Sequence, residues 1–313
     1  SEDVLMGLLD FLRRNREMES PPARDDPPPM LRQNDDRPVG AEISYLDSEA
    51  LRFWNKKQTD YEIPPYYSQS EFGRNVSPAL HRLLDGGYLE ISDIETNISL
   101  KTIPDLKAVL AEHDLKTTGK KGELVQRLLN NVPIEELESI FPVGKYELTE
   151  KGKSALVPYE IFDLNKRYSL GFSHYRLIKK KSQNPNDPPE DLIKSLLEED
   201  MKTCYRENDR AKYPVVLSNA SIFLQSIGEY EKSLACYCLA FFMWTRRVDT
   251  LLGDSATVQD YYMAKHLEEK GQRMGLSLEQ LLSFFKRAVS SENPFGLATA
   301  ENIRYALGTF TDA

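Results

Sequence analysis

The chain has 313 residues, enough for two domains of ordinary size. It is 40% hydrophobic and 28% charged with a formal net charge of −9, so any contact with nucleic acid must come from a local basic patch, since the molecule as a whole repels phosphate. No apolar run approaches the ~20 residues that a membrane-spanning helix needs.

At the N terminus, Leu5, Leu8, Leu9 and Leu12 fall at helical spacing and predict a short amphipathic helix within residues 1–19. Glu2 and Asp3 precede it and Arg13 and Arg14 follow, the reverse of a signal peptide's polarity. Such a helix either docks on a partner or membrane surface or packs on its own chain. Residues 20–44 contain Pro21, Pro22, Pro27, Pro28, Pro29 and Pro38 among Asp and Arg, and this stretch reads as a flexible linker. A second break, residues 182–190, is rich in prolines and turn formers. It is expected to part a mixed region (45–181) from an almost wholly helical one (191–313).

In the mixed region a helix is expected from about Pro78 to Leu84, a stop at Gly86-Gly87, and a strand at Tyr88 to Ile91. A second strand follows at Tyr146 to Leu148, then a helix capped near Thr149. Between the strands, residues 99–131 carry Leu106, Val109 and Leu110 on one helix face and Leu124, Val125 and Leu128 on another. Thr102 and Asp105 have capping-box spacing, and Thr118 is the expected N-cap of the second helix. Two short helices are marginal alone, so the unit is expected to lean on its neighbours.

Leu106, Leu110, Leu115, Gly119, Lys120, Lys121, Leu124, Arg127 and Leu128 together resemble the SAP family, a helix–extended–helix module. The resemblance implies a DNA-binding module of weak sequence preference. One position departs: Asp114 stands where the family has glycine before the leucine, and Asp also tolerates a left-handed C-cap. The residues assigned to nucleic-acid contact are Lys101, Lys107, Lys116, Thr118, Gly119, Lys120, Lys121 and Arg127. Free N–H groups, the helix dipole and ammonium charge converge at the second helix's start. Within 99–131, six basic side chains face four acidic ones. The flanking "GYL … Y-x-LT-x-x-G" pattern is similar to winged-helix regulators, which makes Arg74, His81 and Arg82 candidates for a DNA groove. The alternative is a helix-and-hairpin domain with no DNA face.

Lys166, Arg167, Arg176, Lys179, Lys180 and Lys181 are interleaved with Tyr168, Phe172 and Tyr175. This run is read as a solvated helix face with its aromatics in the core, rather than as a base-stacking surface. After the second break, a helix is expected over Asp191 to Arg206. Ala220, Leu224, Gly228, Tyr230, Ser233, Leu234, Tyr237 and Ala240 resemble a single tetratricopeptide-like hairpin. Further helices are expected near Val258–Lys270, Leu278–Val289 and Ala298–Leu307. The stretch Phe241, Phe242, Met243 and Trp244 is read as core, and any exposed part of it as a candidate docking place for a protein partner. Cys204, Cys236 and Cys238 form no CxxC pair, which suits buried thiols and a cytoplasmic location.

No phosphate-binding loop, GxGxxG, HExxH or GxSxG appears, and the four histidines are far apart. No catalytic residue, metal or cofactor is therefore assigned. The expected fold class is mainly α with a small β-hairpin, a SAP-like unit inserted in a winged-helix-like region, plus a C-terminal helical domain. The expected function is a non-enzymatic DNA-binding protein making weak, largely sequence-independent duplex contact. The alternative is a helical scaffold for protein partners in which the SAP-like unit only packs.

Overall fold

The structure, a computed structural model, describes residues 37–66, 71–251 and 256–311. The expected helix within 1–19 and most of the Pro-rich stretch lie outside these residues. The chain divides into two compact units, one reaching to Glu160 and the other beginning at Ile161. The division falls earlier than the 182–190 break, so the basic run 166–181 groups with the helical unit. The 182–190 stretch contains only a short loop, 184–188, inside that unit: Arg176 and Lys180 before it pair with Asp200 and Glu199 after it.

The first unit opens with α1 (Tyr45–Trp54), whose N-cap Ser44 accepts the Asp47 N–H at 3.0 Å. Helix α2 (Glu71–Asp85) starts seven residues before the expected Pro78 and carries that proline inside it. The helix runs through it because Val76, Ala79 and Leu83 form a continuous buried stripe, whose packing outweighs the one backbone hydrogen bond a proline removes. Trp54 donates its indole N–H to the Val76 carbonyl at 2.9 Å and locks α1 on α2.

Strands β1 (Leu89–Ile91) and β2 (Tyr146–Leu148) pair antiparallel, with Leu89 opposite Leu148 and Ile91 opposite Tyr146. The LT-x-x-G pattern has a packing cause. Thr149 accepts the Gly152 N–H at 3.0 Å, capping α7 (Glu150–Leu156), and donates its hydroxyl to the Gly87 carbonyl at 2.7 Å. A Cβ on Gly152 would lie 2.1 Å from the Tyr88 carbonyl oxygen, so only glycine lets the helix approach the strand there. A short 3-10 turn (Val157–Tyr159) follows. Its fully buried Tyr159 donates to the Ile43 carbonyl.

The regular elements between the strands are all helices: α3 (Ile94–Ser99), α4 (Ile103–Glu112), α5 (Lys121–Asn131) and α6 (Ile134–Ile140). They share one core. Leu106, Leu110, Leu124 and Leu128 are fully buried with Ile98 from α3 and Leu137 from α6. Each such side chain contributes about 1.5–3 kcal/mol on leaving water. Two helices alone could not enclose these groups, and α3 and α6 close the two sides they leave open.

The second unit is all-helical among its described residues: α8 (Glu160–Arg167), α9 (His174–Gln183), α10 (Pro189–Arg206), α11 (Tyr213–Ser226), α12 (Tyr230–Leu251), α13 (Ala256–Arg273), α14 (Leu278–Glu292) and α15 (Ala300–Thr311). Helices α11 and α12 form a hairpin turning at Gly228, whose φ is +82°. It is clasped by two buried serines: Ser221 donates to the Ser233 carbonyl at 2.8 Å, and Ser233 donates to the Ser221 carbonyl at 2.7 Å. Phe223, Phe241, Phe242 and Phe285 fill the core around it. The protein is thus mainly α with one small antiparallel strand pair. No helix among the described residues is long and apolar enough to cross a membrane.

Candidate nucleic-acid interface

The basic stretch of the helical insert is built by caps at both of its joints. Helix α4 begins at Thr102, and the expected box with Asp105 is present: the Asp105 carboxylate accepts the Thr102 N–H at 3.1 Å and the Thr102 hydroxyl at 2.7 Å. Those hydrogen bonds hold the Asp105 carboxyl below its ordinary pKa of 3.8, and the Lys101 charge adds to the effect. Asp93, capping α3, is lowered in the same way by its bonds from Thr96.

Helix α4 ends on Asp114, which sits at φ +54°. The Leu115 N–H reaches the Leu110 carbonyl at 2.8 Å and the Asp114 N–H reaches Ala111 at 3.1 Å, the paired bonds of a left-handed C-cap. Asp114 therefore takes the conformation that glycine would, as expected of a short polar side chain.

From Leu115 the chain runs to Lys120 without helix. Arg127, one face of α5, holds this segment in place: its guanidinium donates to the Lys116 carbonyl and, at 3.1 Å, to the Thr118 carbonyl. Arg127 thus acts through the backbone of the neighbouring lysine, a positioning role its sequence number does not reveal.

The N-cap of α5 is Lys120, not Thr118 as its residue type suggests. Thr118 is displaced because Glu123, at the third helical position, does the capping from inside the helix: its Oε2 accepts the Lys120 N–H at 3.2 Å. A helix capped this way does not need an acceptor in the N-cap side chain. Gly119 serves the same contact. Its φ is +141°, and a Cβ there would meet Glu123 Oε2 at 2.5 Å. The space beside Gly119 is occupied by the Glu123 carboxylate. The Lys120 side chain offers no acceptor to the N–H groups of the first turn of α5.

Lys107, Lys116 and Lys120 are exposed, and Lys101 and Lys121 are half-buried. Among the described residues these five form no ion pair. Lys116, Thr118, Gly119, Lys120 and Lys121 lie on one continuous stretch, which is the gathering of charge expected at this joint. Lys101 and Lys107 belong to the start and middle of α4. Arg74 and Arg82 are on α2, outside that stretch, and Arg82 is already paired with Asp47 on α1 at 2.6 Å.

Two parts of the module were not foreseen. Helix α3 supplies Ile98, and α6 supplies Leu137 and Phe141. Their signal was present, since Ile94 and Ile98, and Leu137 and Phe141, each recur four residues apart. The acidic residues Glu135 and Glu136 form the exposed first turn of α6. Among the described residues no His, Cys, Asp and Glu group could hold a metal ion.

The thiols behave as small hydrophobes. Cys204, Cys236 and Cys238 are buried and free, and burial pushes Cys204 up to about 11 and Cys236 up to about 12.

No curated protein matches the chain. The model of the SAP domain family matches residues 97–133, which run from the end of α3 through α4 and α5 to the threshold of α6.

Proposed function

We propose that the protein is a non-enzymatic DNA-binding protein of a reducing compartment, in which the SAP domain makes weak, largely sequence-independent contact with duplex DNA. SAP domains are in general DNA-binding modules, which supports a nucleic-acid partner. The observation that carries the reading is the stretch Lys116–Lys121: three lysines whose ammonium groups form no ion pair among the described residues, on a segment whose Lys116 and Thr118 carbonyls are held by Arg127 and which leads into the start of α5. Lysines there serve as phosphate contacts, and phosphate contacts position a duplex without reading its sequence.

Three features hold the affinity down: the net charge of −9, the Asp114 carboxylate, and the Glu123 carboxylate at the helix start. In the winged-helix reading of the flanks, Arg74 on α2 is the candidate for a second contact, and Arg82 must first leave Asp47. A salt-titrated duplex-binding measurement tests the proposal. Binding is expected in low salt and falls as salt rises, with a slope set by only a few neutralised phosphates. An absence of duplex binding at low salt would leave the domain as a packing module and favour the scaffold reading.

A further inference from the structure

The helical unit contains a groove of 710 Å³, walled by one face of α11 and one face of α13 with α12 as its floor. Ser218, Ile222 and Ser226 recur at helical spacing along the first wall, and His266, Lys270 and Arg273 along the second. Lys270 is its unusual member. The ammonium is half-buried and donates to Gln225 Oε1 at 2.5 Å and Ser233 Oγ at 3.3 Å, 5.4 Å from the Tyr237 ring centre. All three partners are neutral. Two other lysines of the unit face carboxylates: Lys180 meets Glu199 at 2.5 Å, and Lys194 meets Asp191 at 2.6 Å and Glu229 at 3.3 Å, while the buried Lys181 donates to the Asp187 carbonyl at 3.3 Å.

Lys270 forms no ion pair among the described residues. Of the charged groups on its own helix face, Arg273 adds positive charge and Glu269 is 3.4 Å from His266. Burial first, and Arg273 second, lower the Lys270 pKa. An ammonium withdrawn from water without a counter-charge is costly, and a structure keeps one where something supplies the anion. Beside it stand apolar groups with no core to join: Ile222 is 47% and Tyr230 53% exposed.

We propose that this groove binds an acidic peptide segment, one carboxylate of which pairs with Lys270 and Arg273 while an apolar side chain lies against Ile222 and Tyr230. Charge complementarity selects the anion, and the aliphatic rim selects a peptide over a nucleic-acid strand. Glu269 reinforces that choice, because it repels a backbone that carries a phosphate at every step and leaves room for a single carboxylate.

The test uses the full chain and a fluorescein-labelled peptide alternating Glu with Leu, with a control in which Gln replaces each Glu, read by fluorescence anisotropy in low salt. The Glu peptide should bind at least roughly tenfold more tightly than the Gln peptide. Lys270→Met should abolish that preference while raising the thermal midpoint, because it removes a charge that free protein holds uncompensated. Arg273→Gln, at an exposed position, should also weaken the preference and cannot be blamed on misfolding. The Lys120→Ala, Lys121→Ala double variant should bind the peptide like the parent, which separates this site from the DNA proposal. Equal binding of the two peptides, or an unchanged preference in both Lys270→Met and Arg273→Gln, would overturn the proposal. Displacement of the peptide by a short duplex in the double lysine variant would overturn it in favour of nucleic acid.

Discussion

The exposed Lys116 and Lys120 and the half-buried Lys121 form no ion pair among the described residues, while in the helical unit Arg176 reaches Asp200 at 2.7 Å and Lys180 reaches Glu199 at 2.5 Å. By residue type the two stretches look alike, and the second even interleaves more aromatics. The difference lies in the neighbouring element. Helix α9 packs beside α10, whose Glu199 and Asp200 fall opposite its cations, whereas beside the segment before α5 Arg127 and Glu123 bond its backbone and, among the described residues, no carboxylate pairs with its ammonium groups. Basic residues become a contact surface when the fold leaves them unneutralised, and local composition alone does not determine that.

The largest effect should come from the packing that holds the first set in place. Leu128→Ala, at a fully buried site, should cost about 2–5 kcal/mol and take duplex binding with it, measured by denaturant unfolding and anisotropy. If binding survives loss of the module's fold, the contact lies elsewhere. Next is Gly119→Ala, which places a Cβ at φ +141° and against Glu123 Oε2. It should destabilise the domain by about 1–3 kcal/mol, seen as a lowered thermal midpoint.

The comparison itself is tested by paired substitutions. Lys120→Ala with Lys121→Ala should weaken binding about equally across DNA sequences and lower the salt slope by roughly 2. Lys180→Ala should leave binding unchanged. Equal losses from the two would erase the distinction between the stretches.

Thr102→Ala should cost about 1 kcal/mol by removing a cap. It should also flatten acid sensitivity. The folded Asp105 pKa lies below its ordinary 3.8, so its stabilisation is complete above that value and is lost as pH falls through the lower folded pKa. An acid titration of stability in which parent and variant lose stability in parallel would contradict this. The smallest effect is expected at Asp114. Replacing it with glycine at φ +54° should stabilise the domain by a few tenths of a kcal/mol to about 1 kcal/mol, and tighten duplex binding slightly by removing a negative charge.

Much of this architecture was readable from the residues. The capping box at Thr102, the left-handed Asp114 and the run of C-terminal helices follow from local rules, while the pairing of the two strands was expected from the split GYL and Y-x-LT pattern. What escaped has long-range causes. Pro78 reads as a helix start, but a buried stripe on α1's partner face carries the helix through it. Thr118 reads as the cap, but Glu123 reaches back and takes that function. That Arg127 also holds the Lys116 and Thr118 carbonyls is invisible in its residue type. The units divide at Glu160–Ile161 rather than in the Pro-rich loop, because ion pairs and packing across the loop outweigh its composition.

The two ends of the inserted helices are held together. The Ser92 N–H donates to the Lys145 carbonyl at 2.8 Å, and the Lys145 N–H donates to Ser92 Oγ at 2.8 Å, beside paired β1 and β2. A flexible loop of this length would cost about 3 kcal/mol more to close than a tight turn. A folded insert whose termini already adjoin removes most of that cost, since its own core brings the ends into register. The insert is therefore a cassette: a short turn joining Ile91 to Tyr146 could replace it, and the excised helices could be carried to another hairpin. Folding order follows as well, with the helices closing first and the strand pair, which gains only three residues on each side, forming last.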